Sequence, residues 1–150
     1  MFDDDRAVSV TVGYTLNLAI AAVLFSALLI AGSGLIDDQT RTVTHDELSV
    51  TGQQLAAELS AADRLVRAGE SHESVELSIQ TELPERTAAG GYTVTIGHSD
   101  GDGTIDLETT GPNVEVTVPF RSSTEIENTT LSGGTVRIEY DEGNLVVSSA

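Results

Sequence analysis

The chain contains no cysteine, no lysine and no tryptophan, and each absence removes a class of function. Without cysteine there is no disulfide, no thiolate-bound zinc or iron–sulfur centre and no thiol nucleophile. Without lysine there is no phosphate-binding loop of the kind that ends in Gly-Lys. Aromatic residues make up 4% of the sequence, so few large side chains are available to build a core or a ligand pocket.

Positive charge is scarce. The seven basic residues are all arginine, and they stand against 24 acidic residues in a chain of 150, for a formal net charge of −17. Because binding to nucleic acid requires clustered cations that neutralise phosphates, we expect no nucleic-acid partner. Hydrophobic residues nevertheless make up 39% of the chain, which indicates a folded protein and not a disordered polyelectrolyte.

A long uncharged segment runs from Ala7 to Ile36, and its most apolar part is Leu18 to Ile36. A helix of roughly 20 apolar residues crosses a hydrocarbon layer of about 30 Å, so this segment is long enough to span a membrane. A small domain poor in aromatics would hardly cover such a helix on every face. Cleavage as a secretory signal, at Ala31-Gly32-Ser33, is the alternative, but the leader is net negative and the apolar run is too long. We therefore expect a retained membrane helix.

The residues before the apolar run resemble a known processing signal. Asp3, Asp4, Asp5 and Arg6 are followed by Ala7 and then by Val8-Ser9-Val10. A short hydrophilic leader ending in Arg and a small residue resembles an archaeal type IV prepilin signal. The resemblance implies a prepilin peptidase that recognises Arg6-Ala7 on the cytoplasmic side and leaves Val8 as the mature N-terminus. The same stretch is similar to small membrane-anchored proteins of halophilic archaea, which the acidic, lysine-free composition also fits.

The segment after the apolar run predicts a second, amphipathic stretch of helix from about Gln39 to Ala68. Its apolar residues form one stripe at helical spacing, and Gly69 is a helix stop signal. The stripe consists of Leu48, Leu55, Leu59, Ala62 and Val66. We favour packing of this stripe against the protein's own sheet, with coiled-coil pairing as the alternative.

Beyond Gly69 the apolar residues alternate with polar ones, which is typical of half-buried strands. The pattern predicts about six short antiparallel strands, whose apolar residues are Val75 to Ile79, Tyr92 to Ile96, Ile105 and Leu107, Val114 to Val118, Val136 to Tyr140, and Leu145 to Val147. Asp141-Glu142-Gly143-Asn144 is a hairpin connector, and Pro119 ends a strand or lies on a sheet edge.

The predicted fold class is therefore α+β and pilin-like in order. A leader (1–7), a transmembrane helix (8–36) and an amphipathic helix (37–69) precede an antiparallel β-rich domain (70–150), in which the helix covers one face of a sheet. This order of elements is similar to that of pilins and pilin-like proteins.

One stretch has the composition of a cation site. Asp100, Asp102 and Asp106 in Asp-Gly-Asp-Gly-Thr-Ile-Asp resemble the middle of a calcium-binding EF-hand loop. In that register, however, His98 and Thr109 occupy positions that need Asp and Glu, and a hairpin turn explains the same residues. Calcium is the one cofactor that the sequence suggests.

The remaining candidate residues do not form a catalytic site. His45, His72 and His98 are scattered without zinc-ligand spacing, and we expect solvated surface histidines. Asn128-Thr129-Thr130 is a glycosylation sequon, which would fit an outward-facing domain. No nucleophile motif is present, so we expect no enzyme.

The functional prediction is a single-pass cell-envelope protein with its β domain outside the membrane: a pilin-like subunit or accessory component of a type IV pilus-like assembly. Its partners would be lipid, similar subunits through the N-terminal helix, and prepilin peptidase. The alternative is a monomeric, surface-anchored β domain that binds a ligand or a cation.

Overall fold

The computed structural model describes residues 3–69, 76–111 and 113–150, with side chains from Val10 onward; His72 and Val75 lie outside the described residues. The chain divides into two compact units between Gln39 and Thr40. One α-helix, α1, spans Asp3–Gly69. Within the described residues eight strands follow it: β1 (Ser78–Glu82), β2 (Tyr92–Ser99), β3 (Asp102–Thr109), β4 (Glu115–Arg121), β5 (Glu125–Ile126), β6 (Thr129–Ser132), β7 (Thr135–Asp141) and β8 (Asn144–Ser149). This order confirms the predicted α+β class.

The strands form two four-stranded sheets, in the orders β1-β7-β8-β5 and β4-β3-β2-β6. Every pairing is antiparallel except the short parallel pairing of β5 with β8. The expectation of about six strands was therefore too low. The added strands are β5 and β6, of two and four residues. Segments this short cannot display a period of two, so their pairing depends on neighbouring strands.

The core of the second unit forms between the sheets and the later part of α1. The predicted helical stripe is buried: Leu48, Leu55, Leu59, Ala62 and Val66 have no solvent exposure. They belong to one apolar cluster with the inward residues of both sheets, among them Val94, Ile96, Ile105, Leu107, Val136, Ile138 and Leu145. Packing of the stripe against the protein's own sheets, which we favoured over coiled-coil pairing, is confirmed.

Two tight turns hold the β2–β3 and β7–β8 hairpins in register. Asp100 and Gly101 connect β2 to β3 with φ angles of 55° and 87°, and Glu142 and Gly143 connect β7 to β8 with 47° and 97°. Positive φ at both central residues is characteristic of two-residue hairpin turns, whose twist matches that of the strands. The predicted connector at residues 141–144 is thus confirmed. Pro119 lies within β4, which is an edge strand, as the sequence indicated.

Candidate functional site

The first functional feature is the apolar surface of α1 in the first unit. Every large apolar side chain from Val10 to Ile36 is exposed, from 50% at Ile20 to 74% at Ile30. Residues within this helix reach a mean hydropathy of 2.3 over an 18-residue window, none of which is buried. A helix that is apolar all round requires an apolar environment on every side. The helix is therefore compatible with a single-pass membrane anchor.

Three hydroxyl groups on this surface are satisfied within the helix itself. Ser26 Oγ donates a hydrogen bond to the Ala22 carbonyl oxygen at 2.9 Å, and Ser33 Oγ donates to that of Ile30 at 2.9 Å. Thr15 Oγ1 donates in the same way to the carbonyl of Val12 at 2.9 Å. Serine and threonine in a membrane helix are tolerated when their hydroxyls bond back to the preceding turn, because lipid offers no partner.

The predicted processing residues lie at the start of this helix. The backbone at Arg6, Ala7 and Val8 is helical, whereas their side chains lie outside the described part of the chain. Their role in processing remains a prediction from the resemblance.

The candidate calcium residues are distributed along a hairpin. Asp100 occupies the turn itself, and Asp102 and Asp106 stand on the outer face of β3, about 13 Å apart along the strand. Asp102 Oδ1 pairs with Arg121 Nε at 3.1 Å, and Asp106 Oδ1 accepts a hydrogen bond from Thr117 Oγ1 at 2.6 Å. Calcium ligands must lie within about 2.6 Å of one ion, so the hairpin does not bring Asp102 and Asp106 to a common centre. Within residues 10–69, 76–111 and 113–150, no group of three or more His, Asp or Glu side chains is placed to hold a metal.

His98 corrects the expectation of three solvated surface histidines. Its side chain is 1% exposed, because His98 continues the inward series of β2 through Val94 and Ile96. The ring stacks on Phe120 with centroids 6.1 Å apart. Nε2 lies 3.3 Å from the Ser122 carbonyl oxygen, and the Ile126 N–H donates to Nδ1 at 3.4 Å. Nδ1 also lies 3.5 Å from Glu125 Oε1, so both ring nitrogens have polar neighbours.

The period of two in β2 was the signal that places His98 inside, since position 98 follows the apolar positions 94 and 96. His45, in contrast, has a side chain that is 60% exposed, which confirms the prediction for that residue.

An open depression of about 800 Å³ lies at the same end of the second sheet, beside His98 and Asn128. Two of its lining positions, Gly97 and Gly103, carry no side chain, and the Phe120 ring lies over Gly103. The Asn128 side chain is exposed, and its Oδ1 accepts a hydrogen bond from the His98 backbone N–H at 2.8 Å. The sequon amide therefore has a fixed orientation, with Nδ2 as the group that a glycan would modify.

The sequence did not indicate the best-connected polar residue, Asp63 on α1. This carboxylate is 5% exposed. Oδ1 accepts hydrogen bonds from the backbone N–H groups of Ser123 at 3.0 Å and Thr124 at 2.9 Å, and from the Thr124 hydroxyl at 3.0 Å. Oδ2 pairs with Arg67 Nε at 3.2 Å. Asp63 thus fastens the helix to the segment between β4 and β5.

These contacts set the charge state of Asp63. Burial raises the pKa of the carboxyl, but the hydrogen bonds from Thr124 and Ser123 and the charge of Arg67 outweigh it, so the pKa lies below its ordinary value. The side chain is therefore an anion held by the fold, and every donor that surrounds it comes from the same chain. Such a carboxylate has a structural role.

The family comparison covers nearly the whole chain and carries no assigned activity. Residues 3–149 match the model of a family described as a family of unknown function, DUF7266. Neither a curated protein nor a solved structure matches the chain. On the extent of that match, from the start of α1 to the end of β8, this chain belongs to the DUF7266 family.

Proposed function

We propose that this protein is a non-enzymatic, membrane-anchored component of the cell envelope: a pilin-like subunit or accessory component of a type IV pilus-like assembly. The observation that supports the proposal is the division within α1. Its first part exposes every large apolar side chain, whereas its later part buries an apolar stripe in a folded domain. A protein built in this way carries a soluble module on a helix that needs lipid or similar helices around it.

Small residues on the first part of α1 support helix-to-helix assembly. Gly13, Ala19, Ala22, Ala27 and Gly32 are spaced along this segment, and nothing lies within 4 Å of a side-chain position added at Gly13 or Gly32. Small residues let membrane helices approach closely. In this proposal the helix moves from lipid into a filament core after prepilin peptidase has cut between Ala7 and Val8. The acidic, lysine-free composition suits an envelope exposed to high salt.

Mass spectrometry of the mature N-terminus, combined with fractionation of sheared filaments and membranes, tests this proposal. We expect a protein that begins at Val8 and is recovered in the sheared fraction. Arg6→Asn should block processing and assembly, whereas the matched variant Arg41→Asn should leave both unchanged. An intact Met1 in a protein found only in membranes would exclude the assembly role.

The alternative function is a monomeric, surface-anchored domain that binds a ligand or a cation. It is favoured by the open depression of about 800 Å³ beside His98, whose lining includes the carboxylate of Asp102. Oxygen atoms of this kind are what hard cations prefer. A calcium-dependent rise in melting temperature that Asp102→Ala abolishes and Asp141→Ala preserves would support this function; equal melting curves with and without calcium would exclude a calcium site.

A further inference from the structure

The few arginines of this acidic chain are unevenly distributed. Three of the seven, Arg64 and Arg67 on α1 and Arg121 on β4, line one pocket of about 400 Å³ in the second unit. The same pocket includes the Asp63 carboxylate together with Ser60, Gly101, Ser122 and Ser123. The lining side chains thus carry a formal charge of +3 − 1 = +2 on a molecule whose net charge is −17.

The positive charge of this arginine pocket is only partly neutralised. Arg67 pairs with Asp63, and Arg121 pairs through Nε with Asp102. Asp63 is already occupied by the donors of the β4–β5 segment. Arg64 is exposed and forms no ion pair within the described parts of the chain. The guanidinium of Arg64 is therefore available to an external carboxylate.

An uncompensated pair of carboxylates lies at the other end of the same sheet. Glu108 on β3 faces Glu115 on β4 directly across the strand pair. In the neighbouring pair the Thr109 backbone N–H donates to the Val114 carbonyl oxygen, so the two glutamates occupy a non-hydrogen-bonded position, where opposed side chains are closest. Like charges in this arrangement destabilise a sheet.

No arginine in the described chain forms an ion pair with either glutamate; Arg41 lines a groove with Glu115 but lies outside ion-pair distance. The acidic pair therefore gains from a cation supplied by another molecule.

The positions of the two patches determine the kind of contact that they can make. The arginine pocket adjoins Gly101 and Arg121, at the end of β3 and β4 where Asp102 begins the strand. Glu108 lies six residues further along β3, about 20 Å away. Two complementary patches at different places on one copy can pair twice in a closed two-fold dimer, or once per copy, head to tail, in a ring or an open filament.

We propose that the arginine pocket of one copy of this protein binds the Glu108–Glu115 pair of the next copy. This inference rests on the proposed function, since it supposes that copies assemble. It adds a contact between the β domains to any contact between the apolar helices. In the head-to-tail form that we propose, the contact repeats from subunit to subunit and gives the assembly a direction.

Cross-linking tests this contact cleanly because the chain has no cysteine of its own. The full-length double variant Arg64→Cys/Glu115→Cys is oxidised in native membranes, where each disulfide forms between two thiols of neighbouring copies with loss of two electrons to the added oxidant. We expect a ladder of dimer, trimer and higher species. Each single variant lacks a thiol at the facing position and should form no ladder, and the control Arg137→Cys/Glu115→Cys should form none either. No ladder, or an equal ladder in the control, would overturn the inference.

Charge reversal provides a second, independent measurement. Two differently tagged full-length copies should co-purify from membranes, and Arg64→Glu or Glu108→Arg alone should reduce the recovery more than about tenfold, because each places like charges together. The two changes combined in one chain should restore co-purification. Unchanged recovery in both single variants contradicts the contact, as does retention of inorganic phosphate by the pocket without association of copies.

The outcomes separate this inference from the proposed function. A mature N-terminus at Val8 and sheared filaments without a ladder would refute the arginine–glutamate contact and leave the pilin-like role intact. A ladder in a protein that keeps Met1 would support the contact and refute the pilin-like role.

Discussion

The two parts of α1 use the same residue types for opposite purposes. Leu24 in the first part is 61% exposed, whereas Leu55 in the later part has no exposure. The later part places its apolar residues on one stripe and covers that stripe with two sheets; the first part is apolar all round and no element of the described chain covers it. The comparison shows that the ability to form a helix does not determine whether the helix lies in water or in an apolar environment. The distribution of apolar side chains around the helix axis determines it.

Truncation of a leucine should give the largest difference in stability between the two parts of α1. Leu55→Ala removes a fully buried side chain, and we expect it to lower the free energy of unfolding of the domain by about 2–5 kcal/mol. Leu24→Ala should change the same quantity by less than about 0.5 kcal/mol. Urea unfolding of the full chain in detergent micelles, followed by circular dichroism, measures both. Equal losses would mean that the first part of the helix belongs to the domain core.

Asp63 holds the later part of α1 in place through hydrogen bonds, in addition to the apolar packing of the stripe. Asp63→Asn should destabilise the domain by about 1.5–3 kcal/mol near neutral pH, since the hydrogen bonds to a charged acceptor are lost. Because the folded pKa lies below its ordinary value, the contribution of the carboxylate is complete above that value and is lost as the pH falls through the folded pKa.

The difference between wild type and Asp63→Asn should therefore shrink steadily in acid, which urea unfolding at a series of pH values will show. The exposed Asp141→Asn serves as the control, with a change under about 0.5 kcal/mol. A difference that is independent of pH would contradict the assigned charge state.

Glycines on the same helix sharpen the comparison further. A side chain at Gly52 would meet Val118 Cγ2 at 2.7 Å and Leu107 Cδ1 at 2.8 Å, because here the helix approaches β3 and β4 closely. We expect Gly52→Ala to destabilise the domain by about 1–2 kcal/mol through overpacking, despite the better helix propensity of alanine. Gly34→Ala, with nothing within 4 Å, should cause no loss. The melting temperatures of the two variants test this prediction. A loss of stability in Gly34→Ala alone would contradict it.

The smallest effect is expected at Thr44. Its hydroxyl is fully buried, and within the described chain it has no hydrogen-bond partner. Thr44→Val keeps the shape and removes the unpaired polar group, so we expect a gain of about 1 kcal/mol. The exposed Thr42→Val is the matched control. A loss of stability in Thr44→Val would show that the hydroxyl has a partner after all.

The sequence predicts the features that depend on neighbouring residues. The uncharged run before Ile36, the stripe from Leu48 to Val66 and the turn at Glu142-Gly143 each repeat a pattern over neighbouring residues, and each occurs in the structure. Burial of His98 was also encoded, in the period of β2, but a single polar residue in an apolar series is easily assigned to the surface.

Features that depend on distant contacts were not predictable. Asp63 meets Thr124 across 61 positions, and the arginine pocket joins α1 to β4. Nothing in the residues around Asp63 or Arg64 signals these partners. The division into two sheets was not predictable for the same reason, because strand order is set by packing and by strands as short as β5.

The central claim is that the first part of α1 lies in lipid while the later part lies in water. Ser26 and Gln53 are both exposed in the structure, one in each part of the helix. Single-cysteine variants Ser26→Cys and Gln53→Cys, treated in intact membranes with a water-soluble maleimide, compare the two environments directly. We predict that Gln53→Cys reacts at once and that Ser26→Cys reacts only after detergent is added. Equal labelling of both variants without detergent, or a soluble product that lacks residue 26, would contradict the account.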